Sequence, residues 1–241
     1  MLQKNVNSIQ RRHEELDFIA AGRDTVPMKS VRVKICGVTR AEDIEAVDAA
    51  GGHAVGLNFV PASARFIESI QRAGELRERS KVSDRLLWAG VFVNASHEAV
   101  LDAVRAARLN IVQLHGDESP EYLITLRALL NPNVGIWKAF RVSEKADLEC
   151  VGDFACDAVL VDAKCAAARG GSGTSFDWGI LSGLKRTRPF VLAGGLTPSN
   201  VLAAIGQVEP DWVDTASGVE SAPGVKQAGL IQDFMRAARC I

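Results

Sequence analysis

Short apolar runs alternate with helix-like stretches along most of the chain. Most of the runs are apolar on both faces, which is typical of parallel strands covered by helices. Their starts are 23 to 32 residues apart, close to the roughly 20–30 residues that one strand–loop–helix–loop unit needs. The pattern predicts eight βα units. The runs are VRVKIC (31–36), AVGLNF (54–59), LLWAGVFV (86–93), NIVQLH (110–115), VGIWKAF (134–140), AVLVDA (158–163), PFVLAG (189–194) and WVDTAS (212–217).

Eight consecutive units favour a closed barrel over an open sheet. An open doubly wound sheet usually has fewer strands and a GxGxxG first turn, which this sequence lacks. We therefore predict an α/β fold with a single (β/α)8 TIM barrel over residues 31–241, near the short end of the size range of that fold. Residues 1–30 are expected to form a poorly ordered N-terminal extension.

Three helix starts are predicted from capping residues. Thr39-Arg40-Ala41-Glu42 has the pattern of a capping box. Ser119-Pro120 and Thr197-Pro198 each place a hydroxyl before a proline at the first helical position.

Composition limits the class of protein further. The chain is 47% hydrophobic and 24% charged, as in an ordinary soluble globule. A net charge of −1 gives no support to nucleic-acid binding, and the apolar runs are shorter than a membrane span. Five cysteines without a CxxC pair fit reduced thiols, and no secretory signal is evident. We expect a cytoplasmic protein, monomer or homodimer, that handles small molecules and has no nucleic-acid or membrane partner.

Polar residues end several of the runs, where barrels of this kind carry their sites. Cys36 should face the barrel mouth, although a free cysteine is more often a small buried hydrophobe. Asp162 ends an apolar run, and an unpaired buried carboxylate is costly. A thiol and a carboxyl group across one mouth can serve as base and acid. Asp214 raises the same question, and His115 is either catalytic or bonded to its neighbours.

Glycine-containing loops follow the last two strands. Gly194-Gly195 and Ser217-Gly218 allow backbone amides to approach an anion closely, and loops seven and eight are the usual phosphate site of this fold. The alternative is that these glycines only permit tight turns. Gly170-Gly171-Ser172-Gly173, after the sixth run, is a third flexible loop that can close over a ligand.

Several motifs in succession resemble those of the phosphoribosylanthranilate isomerases of tryptophan biosynthesis. KICG together with QLHG and a GGSG-FDW segment is specific, whereas many sugar-phosphate barrels share the two phosphate loops. The resemblance implies an aldose–ketose isomerase that carries out an Amadori rearrangement of N-(5-phosphoribosyl)anthranilate to 1-(o-carboxyphenylamino)-1-deoxyribulose 5-phosphate. It implies a phosphorylated small-molecule substrate and no metal or organic cofactor. The motifs are VKICGVTRAEDIEAV, VQLHGDES, GGSGTSFDW, VLAGGLTPSNV and VDTASGVESAPGVK.

The resemblance also assigns roles to residues. It implies that Cys36 is the general base and Asp162 the general acid, and that Arg65 meets the anthranilate carboxylate. The family's Ser-Pro-Arg reads Ser63-Ala64-Arg65 here, so we expect a less constrained arginine. The residues expected to bind substrate are Arg65, His115, Asp214, Gly194, Gly195, Ser217 and Gly218.

Two other functions stay open at this point. A related barrel isomerase of histidine biosynthesis runs the same rearrangement, but with an aspartate base after the first strand, and Cys36 argues against it. A catalytically silent sugar-phosphate-binding barrel is the other alternative. The presence of Cys36, Asp162 and Arg65 together argues against that one.

Residues 1–27 precede the first run and supply none of the eight predicted units, and Met28 stands just before Val31. We predict that a chain beginning at Met28 folds with kcat/KM within about twofold of the full chain, because termini not tied into a sheet are usually dispensable. In the competing arrangement, LDFIA forms a helix that caps the barrel. A Tm lowered by more than about 5 °C on truncation, beyond the effect of about 1 kcal/mol at this size, would favour that cap.

Overall fold

The computed structural model describes residues 30–162, 178–181 and 186–239. Eight parallel strands close into a barrel in chain order, with the last strand paired to the first. The prediction of a (β/α)8 barrel is confirmed, and each of the eight apolar runs coincides with a strand to within one or two residues at either end. The strands are β1 (Arg32–Cys36), β2 (Ala54–Asn58), β3 (Leu87–Phe92), β4 (Ile111–Leu114), β5 (Gly135–Arg141), β6 (Ala158–Asp162), β7 (Phe190–Ala193) and β8 (Trp212–Thr215).

Six α-helices of the described ranges follow β1 to β4, β7 and β8, on the outside of the barrel. A 3₁₀-helix, Lys145–Asp153, follows β5 in place of an α-helix, and Asp147 accepts three hydrogen bonds from Ser143 and Glu144 at its start. The helices are α1 (Ala41–Ala49), α2 (Ile70–Arg79), α3 (His97–Ala107), α4 (Pro120–Leu129), α5 (Val201–Val208) and α6 (Ala228–Arg239).

Two short strands, β9 (Glu220–Ala222) and β10 (Val225–Lys226), form an antiparallel hairpin between β8 and α6. A 3₁₀-helix at Trp178–Leu181 is the described part of the connection between β6 and β7. The predicted N-terminal extension and the predicted Gly170–Gly173 loop lie outside the described residues.

Only one of the three predicted helix caps is confirmed. Ser119 accepts a hydrogen bond from a backbone amide in the first turn of α4. Thr39 does not cap α1, because its hydroxyl donates to the carbonyl of Gly224 in the hairpin at 2.6 Å. Thr197 does not cap α5, because a hydrogen-bonded turn intervenes and the helix begins at Val201.

The barrel interior is apolar at one end and polar at the other. Trp137 and Trp212 pack edge to face with ring centroids 5.1 Å apart near the amino ends of the strands, and the Arg32 guanidinium lies over Trp212. A larger apolar layer separates the strands from the helices. The polar end therefore lies at the carboxyl ends of the strands. The interior apolar residues are Ala54, Ala89, Ile111, Trp137, Ala139, Ala158, Leu160, Val191, Ala193 and Trp212.

None of the helices in the described ranges is both long and apolar enough to cross a lipid bilayer.

Candidate active site at the carboxyl ends of the strands

A cavity of about 390 Å³ opens at the carboxyl ends of the strands. It brings together eight of the nine residues that the sequence predicts for the site, from six different βα units. Gly218 is the predicted residue that does not line it. The predicted residues that line the cavity are Cys36, Arg65, His115, Asp162, Gly194, Gly195, Asp214 and Ser217.

A buried ion pair lies directly beneath this cavity, and its aspartate is one of the lining residues. Lys34 on β1 and Asp214 on β8 are register partners, and Nζ of the lysine lies 2.9 Å from Oδ2 of the aspartate. The lysine side chain is 0% exposed and the aspartate 6%. Burial by itself lowers the pKa of Lys34, but the charges of Asp214 and Cys36 outweigh it and raise the pKa above its usual value. The lysine is therefore a charged ammonium.

Cys36 lies next to this ion pair on the same strand. Burial raises the pKa of the Cys36 thiol above its usual value, and the positive charge of Lys34 opposes this rise. Lys34 is not among the residues predicted from the sequence, although its spacing from Cys36 could have identified it. Residues two apart on a strand share a face, so a lysine two positions before the predicted base has to point to the same side as the thiol.

Asp162 and His115 face each other across the mouth. Nε2 of the imidazole lies 3.3 Å from Oδ2 of the carboxyl group, and Nδ1 lies 3.0 Å from the Nε2 amide nitrogen of Gln113. With the amide donating to Nδ1, the imidazole has its hydrogen on Nε2 and donates it to Asp162. The contact allows one proton to be shared between the two side chains.

Two buried oxygen acceptors of the cavity have no hydrogen-bond partner among the described residues. They are Oε1 of Gln113 and Oδ1 of Asp214. Buried polar atoms are normally paired, so each exception calls for a partner that the described residues do not supply. Sequence reasoning did not single out Gln113. Its position two residues before His115 on an apolar strand was the available signal.

Arg65 is held by an ion pair with the hairpin. Its Nε and Nη2 atoms donate to the two carboxylate oxygens of Glu220 at 2.7 and 2.6 Å. The buried Lys226 ammonium donates to the same carboxylate at 2.7 Å. Burial opposes ionisation of Glu220, but these two cations outweigh it and lower the pKa of the carboxyl group. Glu220 and Lys226 were not predicted from the sequence.

The arginine is well placed even without the proline that precedes it in the family. Its backbone amide donates to the Ser63 hydroxyl at 3.1 Å, and Glu220 holds the side chain. Gly37 has a φ of 72°, and a Cβ atom there would collide with the Arg65 side chain. The expectation of a less constrained arginine is therefore not supported. Because Gly37 has no side chain, the Arg65 side chain can pass over the backbone at the end of β1.

The two glycine loops lie side by side at the rim. Gly194 and Gly195 have φ values of 96° and 66°, in the left-handed region that favours glycine. The Thr215 hydroxyl donates to the carbonyl of Leu196 at 2.7 Å and ties the loops together. A Cβ atom on Gly218 would collide with that same carbonyl, so glycine is required there for close packing of the loops.

No three His, Cys, Asp or Glu side chains of the described ranges are grouped closely enough to hold a metal ion.

A closed barrel in which a thiol, a carboxyl–imidazole pair and two glycine loops converge on one cavity defines a (β/α)8-barrel enzyme. A family model described as N-(5'-phosphoribosyl)anthranilate (PRA) isomerase matches residues 33–237. The N-(5'-phosphoribosyl)anthranilate isomerase of Myxococcus xanthus is 43% identical over 219 residues, which cover 88% of this chain and 98% of the relative. This chain therefore belongs to the phosphoribosylanthranilate isomerase family, as its motifs predicted.

Solved structures of the family agree. A crystal structure of phosphoribosyl anthranilate isomerase from Thermotoga maritima is 39% identical, with a TM-score of 0.76, over 88% of this chain and all of its own. A crystal structure of such an isomerase in complex with reduced 1-(o-carboxyphenylamino)-1-deoxyribulose 5-phosphate is 37% identical, with a TM-score of 0.73 and the same coverage.

Proposed function

We propose that this isomerase converts N-(5-phosphoribosyl)anthranilate to 1-(o-carboxyphenylamino)-1-deoxyribulose 5-phosphate with Cys36 as the base and Asp162 as the acid. The observation that carries the assignment is that both side chains line one cavity together with Arg65 and two glycine loops. The reaction is a step of L-tryptophan biosynthesis, and we further propose that the enzyme works in the cytoplasm as a monomer or homodimer.

Asp162 acts first in this mechanism. It donates a proton to the ring oxygen of the ribose, and the ring opens to a Schiff base between C1 and the anthranilate nitrogen. His115 is placed to support the transfer, since Nε2 lies 3.3 Å from the Asp162 carboxyl group and the two side chains can share the proton. Because Gln113 fixes the imidazole from its other side, the acid keeps one orientation.

Cys36 acts second. Its thiolate removes the proton from C2, and the electron pair moves through C1 to the nitrogen to give an enolamine. The enolamine gains a proton at C1 and loses the proton of the C2 hydroxyl, which leaves the ketone. No atom is gained or lost overall. The nitrogen of the substrate accepts the electrons, so we propose no metal or organic cofactor.

The remaining cavity groups suit the rest of the substrate. Glu220 occupies the Nε–Nη2 edge of Arg65, and the Nη1 side of the fork stays available for the anthranilate carboxylate. The unpartnered acceptors of Gln113 and Asp214 suit the sugar hydroxyls.

The glycine loops suit the phosphate. Arg65 is the one lysine or arginine among the described residues that line the cavity. With that cation assigned to the carboxylate, backbone amides of the loops at Gly194-Gly195 and Ser217-Gly218 are left to bind the phosphate.

Turnover by the purified full chain tests the activity directly. We expect loss of the fluorescence of phosphoribosylanthranilate on addition of the enzyme. A folded protein without turnover would instead favour the silent sugar-phosphate-binding barrel.

Replacing the proposed base should abolish most of the chemistry. We expect Cys36→Ala to lower kcat by about 10²-fold or more, as is typical of general acid–base catalysis, with a smaller effect on KM. Steady-state kinetics measure both. Cys150→Ala is the matched control, because that thiol is exposed on the 3₁₀-helix after β5. Near-wild-type kcat in Cys36→Ala would remove the thiol from the mechanism.

Replacing the proposed acid should separate binding from catalysis. We expect Asp162→Asn to keep its affinity for the reduced product analogue and to lose most of its turnover, because an amide preserves the shape but cannot donate the proton. Calorimetric titration and steady-state kinetics give the two quantities. If affinity falls as far as turnover, Asp162 is a binding residue.

Replacing the arginine should affect positioning. We expect Arg65→Ala to raise KM or lower kcat/KM through lost positioning of the carboxylate. Arg65→Lys should rescue it only partly, because an ammonium cannot reproduce the bidentate geometry. The matched control is Arg105→Ala on α3, where the side chain is 70% exposed. Full activity of Arg65→Ala would show that other groups bind the carboxylate.

A further inference from the structure

We propose that Lys34 is a positioning residue that promotes ionisation of Cys36, and that Asp214 holds the Lys34 ammonium in place for this purpose. The inference rests on the proposed role of Cys36 as the base. It assigns a function to a buried lysine that the mechanism above does not use.

The strand register places the three groups together. Lys34 pairs with Asp214 on one side of β1, and Cys36 pairs with Gly56 on the other. A Cβ atom built on Gly56 would lie 2.8 Å from the sulfur of Cys36 and 3.2 Å from Nζ of Lys34. The sulfur and the ammonium group therefore both lie next to Gly56. A side chain at that position of β2 would take the space that they occupy.

The hydrogen bonds of Lys34 differ from those of the other buried lysines. Lys138 donates to Glu118 and to a backbone carbonyl, and Lys226 donates to Glu220 and to a backbone carbonyl. Each of those two ammonium groups has at least two oxygen acceptors. Lys34 has one among the described residues, Oδ2 of Asp214.

The sulfur of Cys36 lies close enough to the Lys34 ammonium for the two charges to interact, since both atoms lie within 3.2 Å of the point where a Cβ atom of Gly56 would be. A lysine that served only to join β1 to β8 would not need to lie beside the sulfur. This ammonium instead lies between a carboxylate and a thiol.

The charges around Cys36 set the direction of the effect. Lys34 is on its own strand, Asp214 faces it from β8, Lys226 from β10 and Arg65 from the loop after β2. Lys34 and Lys226 favour the thiolate, whereas burial and the Asp214 carboxylate disfavour it. Lys34 has the largest influence in favour of ionisation. The Asp214 carboxylate thus holds the Lys34 ammonium in place and also disfavours the negative charge on Cys36 that this ammonium stabilises.

Alkylation of Cys36 by iodoacetamide as a function of pH tests the proposal without any turnover. The thiolate is the reactive form, so the pH at half-maximal rate reports its ionisation. The rate is followed in the full chain by mass spectrometry of the peptide that contains Cys36, which separates it from the other cysteines. Failure of the proposed function is detected separately, by the kinetics of Cys36→Ala.

Two variants should shift this midpoint in opposite directions. We expect Lys34→Met to raise it by about one pH unit or more, so that alkylation at neutral pH slows roughly tenfold. We expect Asp214→Asn to lower it, because the opposing negative charge is lost while the side-chain oxygen of asparagine still accepts a hydrogen bond from the Lys34 ammonium and keeps it in place. Lys138→Met is the matched control, since it also removes one partner of a buried ion pair but lies outside this cluster, and its midpoint should equal that of the wild type.

Lys34→Met leaves the Asp214 carboxylate buried without its partner and is at risk of not folding. The variant Lys34→Met/Asp214→Asn removes both charges and is compared with Asp214→Asn. A higher midpoint in the double variant supports the proposal. Equal midpoints in that comparison overturn it, as does a midpoint in Lys34→Met equal to that of the wild type. An unchanged or raised midpoint in Asp214→Asn also overturns the proposal, even if neither lysine variant folds.

Discussion

The buried ion pair between Lys34 and Asp214 lies where the barrel closes. It joins the first strand to the last across 180 residues of chain, at a separation of 2.9 Å. Its place in the fold is not explained by stability alone, because the desolvation of two buried charges can exceed their attraction and apolar residues of similar volume often do as well. The pair is better explained by its location, directly beside Cys36 and beneath the cavity. The contact that links the two strands at the point of barrel closure therefore also places a cation beside the proposed base.

Charge pairing also organises the rim. Glu220 holds Arg65 from its Nε–Nη2 edge, and Nη1 has no hydrogen-bond acceptor among the described residues, while Lys226 balances the charge of the same carboxylate. The hairpin that carries both residues is thereby fixed against the loop after β2. On the far side, Lys138 pairs with Glu118 beneath the loop that carries His115. Arg65 is therefore held by a residue of another βα unit, and the contact between His115 and Asp162 likewise joins two different units.

The sequence was sufficient for the strands and for most residues at the mouth, because parallel strands alternate regularly and their carboxyl ends must meet. It was insufficient wherever a residue's partner depends on register or on distant chain. That Lys34 and Asp214 form an ion pair becomes evident only when the register of β1 against β8 is known. Thr39 has the local pattern of a cap, yet a contact with the hairpin takes its hydroxyl. Gly218 suggested anion binding, and the structure adds a steric requirement that no local motif shows.

The proposed acid and the proposed base lie in different surroundings. Asp162 lies beside an imidazole, whereas Cys36 lies near the buried ammonium of Lys34. A substrate that fills the cavity displaces water and lowers the local dielectric constant, which strengthens both the penalty on a bare thiolate and its attraction to Lys34. Because both the penalty and the attraction become stronger when the substrate binds, the Lys34 ammonium has to be in place before binding. Asp214 achieves this, since it anchors the ammonium from within the barrel wall.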